Sequence, residues 1–304
     1  MSLNKKALQL FENNQYDEAI LLLENVVKAE RTVQSLNNLA FMYLYEEEDV
    51  NRAKPLLEEV ILKKPQSHFP FSMLGEIAIQ EKQWLDAKNY LQKSIDFHPS
   101  IEAIHNVAVA HYNLEDYEMA ATSFHQIAKD SDVIRWYEVL ARIQNKDYDV
   151  AQSILDQWNA QSDDYAGAIE AADAYVEIDC FEKARDMFKR EWDEYAVTSY
   201  IISRYAYTLF QLNELQTCHD LIEQEIEKKR VEIEEEKREE CDEHWSELDK
   251  KERIEELHQE LNELLQLFAK LQSGYRPPIE IELDRTGGCY LFGCQQHMHE
   301  EYNN

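Results

Sequence analysis

Residues 73–99 read MLGEIAIQEKQWLDAKNYLQKSIDFHP, and their spacing decides the fold. The small residue Gly75 is followed nine residues later by Trp84 and three residues after that by Ala87, and Pro99 ends the stretch. This spacing predicts two amphipathic helices of about 12 residues joined by a short turn. Because only a small side chain lets two helix backbones approach closely, we expect Gly75 and Ala87 to lie where the two helices cross.

The same unit recurs through the first two thirds of the chain. Its alanine returns after 34, 34, 33, 31, 33 and 34 residues, and a cysteine takes the last place. One helical pair cannot bury its apolar face alone, whereas a stack of pairs can. The alanine position is held by Ala19, Ala53, Ala87, Ala120, Ala151, Ala184 and Cys218, and the earlier small position by Ala7, Gly75, Ala108, Ala172 and Ala206 in five units.

In its order of small, aromatic, alanine, large apolar and proline positions, the pattern resembles the tetratricopeptide repeat. The resemblance covers about residues 1–226 and is clearest over residues 38–65, 73–99 and 106–130. It implies an all-α fold, an α-solenoid of about seven helical pairs, in a protein that binds other proteins. The fifth unit is short and carries Val139 at its small position, so we expect a distortion there. An irregular helical bundle is the alternative.

The composition excludes several classes of protein. The formal net charge is −30, from 61 acidic and 31 basic residues, and such a charge repels phosphate, so we expect neither nucleic acid nor an anionic membrane as a partner. Only one glycine lies between Gly75 and Gly274, which excludes a β-sandwich or a dinucleotide-binding domain there, because both need glycine turns. The sequence has no nucleophile elbow, zinc-protease or nucleotide-loop motif, so we predict a protein that is not an enzyme.

The cysteine content and the N-terminus predict the compartment. Five cysteines form an odd and sparse set, which fits a reducing environment better than a disulfide scaffold. The N-terminal residues enter an amphipathic helix without an apolar signal core, and no stretch approaches the ~18 apolar residues needed to span a bilayer. We therefore expect a cytoplasmic protein.

In the proteins that the pattern resembles, the first helix of each pair lines a concave groove. Projecting that register onto this sequence predicts a groove face that is aromatic, amide-bearing and acidic. The predicted groove residues are Asn37, Asn38, Phe41, Tyr45, Glu76, Gln80, His105, Asn106, Val109, Tyr112, Asn113, Trp136, Leu140, Asp173 and Tyr207.

The resemblance also bears on the ligand. Family members that bind an acidic C-terminal peptide hold its carboxylate with Lys, Arg and Asn. Asn38 and Asn106 match the asparagines near that clamp, but no Lys or Arg occupies the projected positions. Aromatic and amide side chains suit an extended or helical peptide with apolar anchors, and carboxylates suit a basic one. We predict that the groove binds an apolar or basic segment of another protein; the alternative is that its aromatic side chains simply pack against adjacent helices.

Residues 227–273 form a second segment, a charged helical extension without glycine or proline. Apolar residues at positions 254, 257, 261, 264, 268 and 271 follow coiled-coil spacing. We expect a break near residues 241–249, where Ser246 begins a new helix and Asp249 completes a capping box. We favour a helix that turns back and caps the open end of the repeat array. A projecting coiled coil, and with it a homodimer, is the alternative.

Residues 274–304 form a third segment with a different pattern. Residues 279–283 alternate with period two, and a glycine turn follows at residues 287–288. This alternation predicts a small β-hairpin.

The same segment contains candidate metal ligands. Cys289, Cys294, His297 and His299 fall within eleven residues, and two thiols with two imidazoles are a ligand set that zinc prefers. A structural zinc site is therefore a hypothesis for this segment, and we expect no cofactor elsewhere in the chain. The alternative is that both cysteines pack as small apolar residues and both histidines are solvated.

Overall fold

The computed structural model of the chain describes residues 2–129, 131–158, 167–192, 198–242 and 245–302. These residues form fifteen helices and no strand, so the predicted all-α class is confirmed. None of the described helices combines the length and the apolar character that a membrane crossing requires. The contacts divide the chain into two compact units.

The first unit comprises Met1–Lys129 and Leu283–Asn304. It contains four helical pairs, and the second helix of each pair packs against the first helix of the next. The first helices of the second, third and fourth pairs also contact one another in turn, so they form one continuous wall. The helices are α1 Leu3–Glu12, α2 Tyr16–Ala29, α3 Val33–Tyr45, α4 Val50–Leu62, α5 Phe69–Gln80, α6 Trp84–Phe97, α7 Ile101–Asn113 and α8 Tyr117–Ala128.

The second unit comprises Asp130–Glu282 and contains three further pairs and a final helix. The division between the units falls inside the predicted repeat segment 1–226, between the fourth and fifth pairs. The fifth pair ends in α10, which at 8 residues is the shortest of the described helices and fits the short fifth repeat. The helices are α9 Asp132–Gln144, α10 Tyr148–Leu155, α11 Ala168–Glu177, α12 Phe181–Glu191, α13 Ser199–Gln211, α14 Leu215–Arg238 and α15 Glu247–Gln272.

The small residues of the repeat lie at the helix crossings, as the spacing predicts. The residues at the alanine position are completely buried in all seven repeats. At Gly75 the approach is closer still, because a Cβ atom placed there would lie 2.5 Å from Cγ of Leu91 on the neighbouring helix α6. The small residues of the repeat therefore mark the places where the paired backbones approach closely.

The turn inside each pair contains a residue with a positive φ angle, between 52° and 67°, five residues before the buried alanine or cysteine. This left-handed conformation ends the first helix of a pair, and an L-residue adopts it at a cost of roughly 1–2 kcal/mol. Residues other than glycine therefore occupy the left-handed turn position in every pair, in agreement with the low glycine content. They are Asn14, Glu48, Lys82, Glu115, Lys146, Asp179 and Asn213.

The charged extension forms two helices that pack together. α14 ends at Arg238, and Ser246 caps α15 through a capping box with Asp249. Leu264 and Leu271 of the apolar stripe are buried in the core of the second unit, Leu261 and Phe268 pack against that core, and α15 contacts both α13 and α14. The stripe that a dimeric coiled coil would use is therefore covered by the same chain.

The β-hairpin expected after residue 278 is absent from the described residues, since residues 274–302 contain no strand. Backbone groups in this segment bond to helix side chains instead of to a second strand. Successive side chains of an extended chain point to opposite sides whatever its partner is. The period-two pattern therefore indicated an extended backbone correctly. It could not distinguish a hairpin from an extended segment lying in a groove.

Candidate functional site

The wall formed by α3, α5 and α7 is occupied by residues 283–302 of the same chain, which we call the tail. On α3, Asn38 bonds to both backbone groups of Phe292: Nδ2 donates to the carbonyl and Oδ1 accepts from the N–H, each at 2.9 Å. The preceding residue, Asn37, donates from Nδ2 to the carbonyl of Tyr290 at 2.7 Å. Both asparagines are completely buried. Three hydrogen bonds therefore hold the tail backbone without depending on its side chains.

Helix α7 repeats this arrangement. Asn106 donates from Nδ2 to the Thr286 carbonyl at 2.6 Å and accepts from the Thr286 N–H at 2.9 Å. The preceding residue, His105, places Nε2 2.9 Å from the Asp284 carbonyl. Because a carbonyl oxygen only accepts, Nε2 must carry the proton. As on α3, the asparagine holds one tail residue and its neighbour holds the carbonyl two residues earlier.

The two contacts follow from the repeat register. Asn38 and Asn106 each stand two residues before a buried alanine of their helix, Ala40 on α3 and Ala108 on α7, and these first helices are two repeats apart. Along the tail, Thr286 and Phe292 are six residues apart, and the tail runs opposite to the order of the repeats. The same side-chain position is thus used twice along one extended segment.

Helix α5 supplies a buried carboxylate between the two asparagine contacts. Glu76 accepts hydrogen bonds from the hydroxyls of Tyr290 and Tyr45, each at 2.7 Å, and from Nη1 of Arg285 at 2.9 Å. Burial raises the pKa of Glu76 to about 7, although the two tyrosine hydrogen bonds and the charge of Arg285 act to lower it. The tail therefore brings the cation that this carboxylate needs.

Apolar side chains of the tail complete the contact. Tyr290, Leu291 and Phe292 are at most 5% exposed and belong to the core of the first unit. The ring of Phe292 lies 4.7 Å from that of Phe69, and the ring of Tyr290 lies 5.9 Å from it. Burying side chains of this size is favourable by about 1.5–3 kcal/mol each, so these residues stabilise the docked tail.

In the second unit, a buried side chain of a first helix likewise binds the backbone of the segment that follows α15. Arg204 stands two residues before the small residue of α13, as Asn38 and Asn106 do on their helices, and it is completely buried. Its Nη1 donates to the Pro277 carbonyl at 2.8 Å, and its guanidinium also pairs with Asp173 and with Glu177.

Asp173 lies at the centre of this second cluster. It accepts hydrogen bonds from Arg204 and from the hydroxyl of Tyr200, whose oxygen in turn accepts from the Glu280 N–H at 3.1 Å. Burial raises the pKa of Asp173, although Arg204 and Tyr200 act to lower it. Nearby, the guanidinium of Arg276 lies over the ring of Tyr207.

The comparisons with known proteins match this architecture. A tetratricopeptide repeat protein from Parabacteroides merdae superposes with a TM-score of 0.54 at 14% identity, over 86% of this chain and 97% of that one. This chain has the tetratricopeptide repeat fold. The resemblance predicted from the spacing is confirmed at the level of the fold.

Other solved structures resemble the chain more loosely. MamA of AMB-1 is 20% identical with a TM-score of 0.46, over 52% of this chain and 95% of that one. NprR in complex with its cognate peptide NprX is 15% identical with a TM-score of 0.40, over 89% and 82% of the two chains. No family model matches this tetratricopeptide-fold chain, and no curated protein matches it.

The remaining predicted groove residues have contacts of other kinds. Several pack within or between helices, and Gln80 is exposed as the last residue of α5. Phe41 packs on the rings of Phe11 and Tyr45, Tyr112 on Tyr117 and Trp136 on Trp158; Val109 and Leu140 are buried, and Asn113 bonds the Val109 carbonyl of its own helix. For these side chains, the packing alternative describes what the structure contains.

Three of the four candidate metal ligands come together. The ligand atoms of Cys289, Cys294 and His297 all lie within 4.8 Å of one another. His299 points its Nδ1 elsewhere, 3.1 Å from the Leu291 carbonyl. Burial raises the pKa of the Cys289 thiol to about 12, so without a metal this thiol is protonated and packs as a small apolar group.

The predicted set lacks Arg204 and Tyr200 of the cluster around Asp173, and it lacks Arg285 and Tyr290 of the cluster around Glu76. Arg204 could have been found, because it occupies the position of Asn38 and Asn106 in its own repeat. Arg285 and Tyr290 carried no such signal, since nothing in the pattern of the tail indicates that it lies in a groove of the same chain.

Proposed function

We propose that this protein is a non-enzymatic interaction scaffold whose first-unit groove binds an extended peptide segment. The supporting observation is the repeated asparagine contact with the tail, through Asn38 on Phe292 and Asn106 on Thr286. Each asparagine satisfies the N–H and the carbonyl of one peptide residue, as an added strand would. Proline has no N–H and is therefore excluded at those two peptide positions.

The side chains around the tail indicate what a partner segment should carry. Glu76 accepts from Arg285 and from Tyr290, five residues further on, and Phe292 lies against Phe69. We therefore expect a protein segment with a basic residue followed by two large aromatic residues. With a net charge of −30, the scaffold is poorly suited to nucleic acid or anionic lipid.

The docked tail competes with any partner segment for the groove. Because the tail belongs to the same chain, its local concentration at the groove is high, in the millimolar range for a flexible tether. A free peptide of the same sequence competes against that concentration, so its apparent affinity for the wild-type protein is low. A physiological partner must displace the tail or reach the groove when the tail has left it.

A labelled peptide of residues 283–296 tests the proposal by fluorescence anisotropy with full-length protein. Replacing both tail anchors, Tyr290→Ala with Phe292→Ala, should strengthen peptide binding about tenfold or more, because the competing tail is weakened by more than the 1.4 kcal/mol this requires. Adding Asn38→Ala and Asn106→Ala to that variant should abolish binding. Circular dichroism verifies that the helices of each variant remain folded.

Gln126→Ala, added to the same tail-weakened variant, is the matched control, since Gln126 is exposed on α8 and lies outside the predicted groove set. It should leave peptide affinity unchanged. If the tail-weakened protein binds the peptide no better than the wild type, or if the two asparagine substitutions leave binding intact, the groove is not a peptide site.

A further inference from the structure

The cluster of Cys289, Cys294 and His297 lies beyond the proposed peptide function. The three side chains come from one nine-residue stretch of the tail, yet their ligand atoms all lie within 4.8 Å of one another. Sγ of Cys294 and Nδ1 of His297 lie 3.4 Å apart. Two sulfur atoms and one imidazole nitrogen therefore converge on one point.

The backbone folds to produce this convergence. Gly293 has a φ of 85°, a left-handed conformation that favours glycine, and the Cys294 N–H donates to the Leu291 carbonyl at 3.3 Å. A second turn follows, in which the N–H of Met298 donates to the Gln295 carbonyl at 3.2 Å. These consecutive turns reverse the chain twice and bring His297 back towards Cys294.

The spacing of the ligand atoms fits a small tetrahedral ion. With bonds of about 2.3 Å to sulfur and 2.0–2.1 Å to nitrogen, zinc holds its ligand atoms about 3.5–3.8 Å apart. The separations here reach that range with side-chain movements of about 1 Å. We infer that Cys289, Cys294 and His297 bind a divalent ion of the zinc class through two thiolates and one imidazole. A solvent molecule completes the coordination.

The surroundings suit a cation that enters from solvent. His297 is exposed and Cys294 is buried, so the ion has an open side and an enclosed side. The carboxylate of Glu12 lies 3.4 Å from the Gln295 N–H and contributes negative charge near Cys289. On binding, each thiol releases its proton to solvent and the sulfur lone pair forms the bond to the metal.

His299 has a different part in this arrangement. Its Nδ1 contacts the Leu291 carbonyl, and its ring lies 5.8 Å from that of His297. It therefore fixes the loop without reaching the ion. His297 and His299 therefore have different roles, although the sequence pattern offers both as candidate ligands.

Metal binding would also affect how the tail docks. The residues between the two cysteines include Tyr290 and Phe292, whose backbone groups bond to Asn37 and Asn38. A metal that joins Cys289 to Cys294 restricts this loop to its docked shape before it enters the groove. Metal-loaded protein should therefore hold its tail more firmly than metal-free protein, whether or not a foreign peptide ever binds.

The test uses full-length, untagged protein that has been reduced and freed of metal. Titration with Zn²⁺ against a chromophoric chelator should show one tight equivalent per chain, and Co²⁺ should give the intense charge-transfer absorption of a thiolate complex. Cys289→Ser with Cys294→Ser should reduce tight binding to below a tenth of an equivalent. His297→Ala should weaken binding about tenfold or more.

Two control variants sharpen the assignment. Cys241→Ser, at a cysteine of the second unit, and His299→Ala should each retain one equivalent. The inference is overturned if the wild type binds no ion tightly, if Co²⁺ shows no thiolate absorption, or if the double cysteine variant binds as well as the wild type. It is also overturned if thiol titration shows Cys289 and Cys294 joined as a disulfide in protein purified under reducing conditions.

Discussion

At the scale of single residues, Glu76 shows how a charge is accommodated inside the wall of a repeat array. It is 1% exposed, and its carboxylate accepts from two tyrosine hydroxyls and from Arg285. Two of these three donors belong to the tail. Removing the tail would take two of the three donors away from the carboxylate. The residue thus couples the stability of the wall to the presence of an occupant.

Glu76→Gln should change how stability depends on pH. Because the pKa of Glu76 is raised to about 7 in the folded protein from 4.5, the folded state holds this proton more firmly than the unfolded state does. The carboxyl therefore favours folding fully below about pH 4.5, and that contribution is lost as the pH rises through 7. Glutamine does not titrate, so the unfolding free energy of the wild type minus that of the variant should fall by up to about 3 kcal/mol between pH 4.5 and 8.

Urea denaturation of both proteins across this range measures the difference. Glu118→Gln, at an exposed glutamate of α8, is the control and should give a nearly flat difference. A flat difference for Glu76→Gln as well would mean that the buried carboxyl does not titrate in this window.

Gly75→Ala tests the close crossing of α5 and α6. At an exposed helical position this change would stabilise by about 1 kcal/mol, but here the new methyl would lie 2.5 Å from Leu91 Cγ. Overpacking of this kind costs about 1–3 kcal/mol, so we expect net destabilisation in urea denaturation. In the double variant with Leu91→Ala, the two effects should be clearly less than additive. Stabilisation by Gly75→Ala would show that the crossing is looser than the structure has it.

At the scale of elements, the tail behaves as part of the first unit although it has no regular secondary structure. Its hydrogen-bonding groups at Thr286 and Phe292 are satisfied by helix side chains, and its apolar residues belong to the same core cluster as α1 to α5. An extended segment is stable in this position because the helices supply the partners that a neighbouring strand would otherwise provide.

Phe292→Ala should destabilise the first unit by about 3–5 kcal/mol, the usual cost of removing a buried phenylalanine. The ring packs against Phe69 at 4.7 Å and against Tyr302 at 5.1 Å, and it is 5% exposed. Thermal unfolding followed by circular dichroism measures the loss. Met298→Ala, in the same tail but 88% exposed, should change stability by less than about 0.5 kcal/mol. Equal effects of the two substitutions would argue against a docked tail.

At the scale of the whole molecule, the tail belongs to the same compact unit as the first eight helices. Tail residues 283–302 fold with residues 2–129, and Tyr302 bonds to Gln34 and Gln66. In a linear repeat array, each repeat contacts only its neighbours. Here the tail adds contacts between positions more than 250 residues apart, so the stability of the first unit depends on the distant end of the sequence.

Hydrogen exchange resolved to single amides should detect this connection. The N–H groups of Thr286 and Phe292 donate to buried asparagines and should exchange as slowly as amides within α3 and α7. Asn38→Ala should accelerate exchange at Phe292 by at least about tenfold while changing Thr286 less, and Asn106→Ala should do the reverse. Complete exchange of both wild-type amides at the earliest time point would place the tail in solvent.

The sequence by itself determined the repeat. The 34-residue period, the small residues at the crossings, the break before α15 and its Ser246 cap all depend on chemistry between residues close together in the chain, within one helical pair or one helix terminus. It also predicted a set of groove positions, from a register inherited from the period. Of the predicted set, Asn37, Asn38, Glu76, His105 and Asn106 form hydrogen bonds with the tail, and the ring of Tyr45 lies 6.3 Å from that of Tyr290.

Only the tertiary structure decided what lies in the groove. Asn38 and Asn106 bond to backbone groups, which every residue except proline possesses, so no pattern in residues 283–302 could mark them as the occupant. The absence of Lys and Arg from the projected positions suggested a basic ligand, but not that Arg285 of the same chain supplies the charge. The separation of His297 from His299 was likewise invisible in the sequence, because it follows from two turns that bring only one of the histidines back to the cysteines.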